Sequence, residues 1–462
     1  MKKKESNPGT SRRDAIKTLG LGSAALFAGG LGNTASAQSK TQDTVNKPST
    51  GGLPPLKVTK VYAIGVKSGT EGRGSNLVIV KVETSEPGLY GVGCATFTQR
   101  AELVVVAVNS YLNDFCVGRD VDNIEDMWQA AYVSSYWRNG PVLNNALSGL
   151  NQALWDIKGK RANMPVYQLL GGKCRFAIDT YVSVSGKTHE ETADAVLKAM
   201  ESGQRYVRIQ NGGYGGVGVI GSNPDFKEAG FGMPKDSYMD DQAYLRDVPK
   251  MFEVVRKRCG EEVELTHDIH ERCQPRDVIN MCKKLEQYHP FFIEDPLSPE
   301  NRSWWKEMRE STSVPFAMGE LFNNINELLD PMVNHYFDYI RIHVSQMGGI
   351  TPCMKVAKLG EFFNVKTVWH GPGDTSPVGH SAQAHMDLAN WNFGVQEGGG
   401  DFSDYLRELF PGCCTKKNGY IYVNDSPGLG IDINEKLAAK YPINNSAGNW
   451  TVRKKDGTII RP

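Results

Sequence analysis

The sequence predicts an α/β protein, a (β/α)₈ TIM barrel preceded by a compact α+β unit. Three observations predict it. Short apolar runs alternate with helix-like stretches over the second part of the chain, a strand-rich stretch followed by helical periodicity precedes them, and acidic residues end three successive runs at one fixed spacing. Parallel strands interleaved with helices bury both sheet faces, and eight of them close into a barrel.

The chain has 462 residues, 40% apolar and 23% charged, with zero formal net charge. That composition suits a large core and offers nothing to hold nucleic acid or an anionic membrane. No apolar run reaches the roughly 18 residues that a spanning helix needs, so no stable membrane span is expected. Residues 1–37 have a basic start, Arg12 and Arg13 after Ser11, a short mildly apolar run and a closing Ala35-Ser36-Ala37. These features in this order predict a twin-arginine signal peptide and a periplasmic protein. Residues 38–56 then form a polar linker. The nine cysteines show no C-x-x-C spacing and are odd in number, so no disulfide framework is expected.

Residues 57–175 form the expected α+β unit. The strand-like runs are "KVTKVYAIGV", "NLVIVKVET" and "LYGVGCAT"; helical periodicity follows in "RAELVVVAVNSYLNDF", "NIEDMWQAAYVSSYW" and "PVLNNALSGLNQALWDIKGKRA". Residues 176–420 form the expected barrel, with strands at "DTYVSVSG", "RYVRIQ", "VELTHDIH", "FFIEDP", "PFAMGE", "YIRIHVS", "VKTVWHG" and "FGVQEGG". Residues 421–462 are expected to pack back on that unit and the barrel. Between the second and third runs lies a long glycine-rich insertion beginning at Asn211, which reads as a lid or binding loop without a P-loop lysine.

The C-terminal ends of barrel strands converge on one mouth, where active sites sit. Asp268, Glu294 and Glu320 end the third, fourth and fifth runs, each 26 residues after the last. One acidic residue after a strand is ordinarily a cap or a surface charge. Three in equal register repel one another unless a cation holds them, and an all-oxygen set selects Mg²⁺. Strand alternation puts His270 on the same face as Asp268, where an imidazole can act as general acid or base; His267 falls on the opposite face and is expected to be structural. Arg208 and Gln210 end the second run, Arg341 lies on the sixth, His370 on the seventh and Glu397 on the eighth. Asp374 could orient His370. Arg341 and Glu397 fit either a substrate role or a structural ion pair.

This pattern resembles the enolase superfamily, with "GPVLNNALSGLNQALWDIKGKRANMPVYQLLGG" matching its cap–barrel signature and "SPGLGIDINEKLAAKYP" continuing the likeness. The nearest likeness is to the mannonate dehydratase-like subgroup. The resemblance implies that the α+β unit is a capping domain on a modified (β/α)₈ TIM barrel, that Asp268, Glu294 and Glu320 hold Mg²⁺, and that a proton α to a carboxylate is abstracted with metal stabilisation of the enediolate. In the dehydratases loss of a β-hydroxyl follows, giving a 2-keto-3-deoxy sugar acid. His270 matches the general acid, and Arg208 the partner of a catalytic tyrosine. Arg341, His370, Asp374 and Glu397 match substrate-pocket residues. The resemblance also implies a homo-oligomer.

The chain departs from that subgroup at three points. Ile220 stands where the tyrosine is expected, with Tyr214 nearby; Ser183 or Ser185 replaces a histidine, and Thr98 replaces an asparagine. Strand two carries Arg208-Ile209-Gln210 in place of the Lys-x-Lys of other relatives. His370 and Tyr214 are therefore the candidate bases, and Gln210, Thr98 and Ser183 candidate substrate contacts. Three functions follow: a dehydratase of a mannonate- or gluconate-like acid, an epimerase or cycloisomerase using the same enediolate, or a sugar-acid binding protein that keeps the metal cage without the base.

Overall fold

The computed structural model describes residues 52–211, 236–371, 373–444, 451–454 and 456–460. The expected signal peptide, Tyr214 and Ile220 lie outside the described residues. The chain divides at Pro55, and Leu56–Pro462 is the unit that carries the site.

The cap begins with an antiparallel meander of Val58–Lys67, Asn76–Thr84 and Tyr90–Cys94. Its middle strand is rich in β-branched residues and almost wholly buried. The long helix Pro141–Ala162 lies across the sheet, with Pro141 in its first turn and Asn163 ending it in the left-handed conformation (φ 50°). Gly91 and Gly93 make that crossing possible: a Cβ on either would collide with the helix carbonyls of Ala153 or Gly149. Here the glycines of "LYGVGC" serve close backbone approach.

All eight expected runs are barrel strands: Ile178–Gly186, Tyr206–Asn211, Glu264–Asp268, Phe292–Glu294, Phe316–Met318, Tyr339–Ile340, Lys366–Thr367 and Gln396–Glu397. The first seven pair in order, in parallel, and Gln396–Glu397 pairs back onto Ile178–Gly186. A parallel bridge between Thr367 and Phe393 joins the seventh strand to the eighth and closes the ring. Helices follow the strands on the outside. Pro275–Leu285, for instance, buries Val278, Ile279, Cys282 and Leu285 on one face, the 3.6-residue period of a half-buried helix. Pro377–Ala389 is buried on every side, because the cap covers what a barrel helix would usually expose. Gly379 lies against Cys94 of the cap, and His385 stacks on Tyr167 at 5.6 Å.

The C-terminal residues return to the cap. Thr415–Lys417 and Tyr420–Tyr422 form a hairpin that adds antiparallel to the first barrel strand. Beyond it, buried Asp156 accepts hydrogen bonds from the Leu429 amide (2.8 Å), the Val92 amide (3.0 Å) and Lys160 Nζ (2.7 Å), tying tail, cap strand and cap helix together. Lys81 pairs with Glu435 at 2.5 Å, and Tyr90 donates to Asp432. All nine cysteines are free. No helix among the described residues is long and apolar enough to cross a membrane.

Burial pushes the imidazoles of His267, His343, His380 and His385 down to about 4. An unfolded histidine titrates near 6.5. Between these values the unfolded chain binds the extra protons, so stability present above about pH 6.5 is lost as pH falls toward 4. Replacing His385 with Gln is expected to remove about one proton from the uptake on acid unfolding, measured as a shallower dependence of Tm on pH across that window.

Candidate active site

The third and fourth strands end at one level, with Thr266 opposite Phe292 and Asp268 opposite Glu294 in register. The expected equal register stops there: Glu294 stands opposite Ala317, and Glu320 lies two residues past the end of the fifth strand, Phe316–Met318. Asp268, Glu294 and Glu320 nevertheless converge on the mouth, around Arg208 and Arg341. Asp268 and Glu294 are buried, and Glu320 is half-buried.

Two buried arginines run between these carboxylates. Arg341 Nη1 reaches Glu320 (2.6 Å) and Asp295 (2.7 Å), and its Nη2 reaches Glu397 (2.8 Å) and Glu294 (3.0 Å). Arg208 Nη1 reaches Glu294 and Glu397, each at 2.7 Å, and stands 3.8 Å from Asp268. Its Nε donates to Ser183 Oγ at 2.9 Å. For Arg341 and Glu397 the ion-pair alternative is thus realised. Each arginine serves more than one acid, and Arg341 does so with both arms of its planar fork.

The electrostatics follow from burial against these cations. Burial pushes Glu294 up to about 7 despite Arg208 and Arg341. Glu397 is also buried, but Arg341 and Arg208 outweigh that and bring it down to about 2. Glu320 is held well below the usual carboxylate range, because His370, Arg341 and His270 overcome the effect of burial. Burial raises Asp295 and Glu271 well above it.

His270 reaches the mouth by a route the alternation argument did not anticipate. The strand stops at Asp268, and His270 and Glu271 both take left-handed backbone (φ 57° and 60°). Asp268 Oδ1 accepts the His270 amide at 2.8 Å, an aspartate turn at the bend. His270 Nε2 then lies 4.0 Å from Glu320 Oε1, and His370 Nε2 lies 3.3 Å from the same oxygen. His267 points away, between Tyr244 Oη and the Ile209 carbonyl at 2.7 Å each.

The remaining candidates lie as follows. Asp374 faces His343 (Oδ2 to Nε2, 3.8 Å) and also acts electrostatically on His370, with ligand atoms of all three within 4.8 Å of one another. Gln210 Nε2 donates to the Asp268 carbonyl at 3.0 Å, bracing the third strand. Thr98 opens a short turn of the cap, Thr98–Arg100, and takes no part in the polar contacts of the mouth. Sequence reasoning missed His343 and Asp295. Position 343 lies two beyond Arg341, so the same alternation applied to His270 would have marked it. Asp295 directly follows Glu294, and its φ of 33° is what returns its carboxylate to Arg341.

The donor set fits a hard divalent cation. Asp268 Oδ2 and Glu294 Oε1 are buried without a hydrogen-bond partner, and carboxylates outnumber arginines around them. Burying such oxygens unpaired is costly, and Mg²⁺ takes carboxylate oxygen. The ligand atoms of His343, His370 and Asp374 also lie within 4.8 Å of one another. There the Ser345 amide donates to His343 Nδ1 at 3.3 Å, which leaves the proton on the Nε2 that faces Asp374. Within that group His370 Nδ1 and Asp374 Oδ1 are buried without a hydrogen-bond partner.

A barrel with this cap and these strand-end carboxylates defines a class, and comparison with known proteins agrees. The family model described as Enolase C-terminal domain-like matches residues 197–437. The one described as Mandelate racemase / muconate lactonizing enzyme, N-terminal domain, matches residues 59–171. The chain is 51% identical to the D-galactonate dehydratase family member RspA of Pantoea ananatis over 420 residues, 88% of this chain and 99% of that one. It is 44% identical to a D-galactonate dehydratase family member of Enterococcus gallinarum over 398 residues, 85% and 96% of the two chains. A crystal structure of an enolase from Pantoea ananatis with bound D-gluconate and Mg superposes with a TM-score of 0.83 at 48% identity, covering 88% of this chain and all of that one. The chain therefore belongs to the D-galactonate dehydratase family of the enolase superfamily, which corrects the mannonate dehydratase-like placement.

Replacing Arg341 with Ala leaves its carboxylate partners buried without their shared cation. Unfolding of that variant is expected to be easier by about 3–5 kcal/mol, measured by denaturant titration.

Proposed function

We propose that the protein is a Mg²⁺-dependent hydro-lyase that removes water from an aldonic acid of the gluconate–mannonate type and releases a 2-keto-3-deoxy acid. One observation carries the reading: two unpartnered, buried carboxylate oxygens share a barrel mouth with two imidazoles, both directed at Glu320. The dehydratase names of the relatives and the D-gluconate and Mg in the similar crystal structure support it.

Asp268, Glu294 and Glu320 would hold the metal, which supplies charge stabilisation for a substrate carboxylate that becomes electron-rich at C2. Burial keeps His370 below the usual imidazole range, so it is neutral near pH 7 and has a lone pair to accept the C2 proton. Its Nδ1 is buried without a partner and is the atom suited to that role. His270 donates a proton to the C3 hydroxyl, which leaves as water. The resulting enol takes up a proton at C3 as it becomes the 2-keto acid. Arg208 and Arg341 keep Glu397 ionised and fix the acids in place. Tyr214 is the alternative proton acceptor.

Export through the twin-arginine route to the periplasm is part of this proposal, supported by the Ser11-Arg12-Arg13 pattern. So is a homo-oligomer, for which the exposed Tyr136 and Trp137 (85% and 80% accessible) provide apolar surface on the cap.

Incubating the full chain with Mg²⁺ and a panel of aldonic and aldaric acids is expected to yield a 2-keto acid from at least one aldonic acid. Solvent deuterium at C2 without loss of water would instead indicate an epimerase. A ligand that raises Tm yet is recovered unchanged would indicate a binding protein. His270→Asn is expected to lower kcat about 10²–10⁴-fold with Mg²⁺ binding retained; full turnover in that variant removes His270 from the role of acid.

A further inference from the structure

The last described residues form a structure of their own. Val452–Arg453 pairs antiparallel with Ile459–Ile460 and parallel with Ser237–Tyr238, giving a three-stranded sheet. The hairpin strands Val452–Arg453 and Ile459–Ile460 lie beyond the 197–437 span matched by the family model, and Ser237–Tyr238 lies within it. Val452 and Ile460 are buried and belong to the same apolar core as Met239, Tyr244 and Cys273.

Two cations fasten this hairpin to the segment that leads into the helix Asp241–Cys259. Arg453 Nε donates to Asp236 Oδ2 at 2.6 Å, and Lys454 Nζ donates to Asp241 Oδ2 at 2.7 Å. The Met239 amide donates to the Arg453 carbonyl at 2.7 Å. Asp240 caps the helix by accepting the Ala243 amide at 2.8 Å. The tail thus holds the helix start by backbone and side chain together.

That helix start supports the third-strand turn from two directions. Tyr244, in its first turn, meets His267, the residue before Asp268. Cys273, three residues after His270, is buried in the same apolar cluster as Tyr244, Val452 and Ile460. The left-handed backbone at His270 and Glu271 is a conformation that non-glycine residues hold only when their surroundings impose it.

We propose that Arg453 and Lys454 are positioning residues: through the 236–244 segment the C-terminal hairpin imposes the turn that aims His270 and Asp268 into the mouth. The proposal uses from the functional reading only that these two residues belong to the site, and it does not depend on which acid is turned over.

The test is amide hydrogen exchange on the full chain in Mg²⁺-containing buffer, comparing the native protein with an Arg453→Ala/Lys454→Ala variant and a charge-keeping Arg453→Lys/Lys454→Arg variant. In the alanine variant, exchange is expected to quicken roughly tenfold at both 237–244 and 269–273, while the other barrel strands keep their protection. Its Tm is expected to stay within about 2 °C of native, as for a local change. The charge-keeping variant is expected to restore slow exchange at both segments. Faster exchange confined to 237–244, no change at either segment, or loosening of the whole barrel would each overturn the proposal. If no acid in the panel is turned over, the exchange result still decides it. If one is turned over, kcat should fall in the alanine variant and recover in the charge-keeping one.

Discussion

Arg341 holds its guanidinium within 3.0 Å of Glu294, Asp295, Glu320 and Glu397, and the charge balance of the barrel mouth follows from that placement. Arg208 shares two of these acids. A buried carboxylate survives ionised only beside a cation, so the two arginines decide which acids stay charged. Glu397, held by both, is brought down to about 2; Glu294, also held by both, is pushed up to about 7 by its burial, with Glu397 and Asp268 adding to the rise. The surplus of carboxylates over arginines is the physical demand that a divalent cation meets.

Everything else at the mouth is arranged around that demand. Equal register of the third and fourth strands brings Asp268 level with Glu294, and Gln210 holds the third strand by its last carbonyl. The strand then stops, and the bend at His270 brings an imidazole to the side of Glu320 opposite the arginine. His370 approaches the same carboxylate from the seventh strand. One carboxylate therefore collects a guanidinium and two imidazoles, which explains why it is held so far below its usual range.

The cap and the tail are held to each other and to the barrel by close packing and buried hydrogen bonds. Gly91 and Gly93 allow the long cap helix to touch the sheet, and Asp156 ties the returning C-terminal chain to both. Because the cap lies over Pro377–Ala389, that helix carries buried His380, His385 and Asp387 where an ordinary barrel helix would carry surface charges. The cost of this arrangement is sensitivity to acid, since neutral buried imidazoles must be protonated on unfolding.

The fold was legible in the sequence because its signals are local. Alternating apolar runs and helical periods belong to single segments, and all eight runs became strands. The 26-residue spacing of Asp268, Glu294 and Glu320 was legible for the same reason, one β/α unit per carboxylate. What each side chain touches was not, because it depends on chain segments far apart in sequence. Asp374 facing His343, Asp295 turning back to Arg341, and the left-handed bend that replaces alternation at His270 come from packing between neighbouring strands. The sequence by itself determined a barrel with acids at one end; only the tertiary structure decided that two arginines would partition the charge among them, since Coulomb interaction depends on distances that strand order alone does not specify.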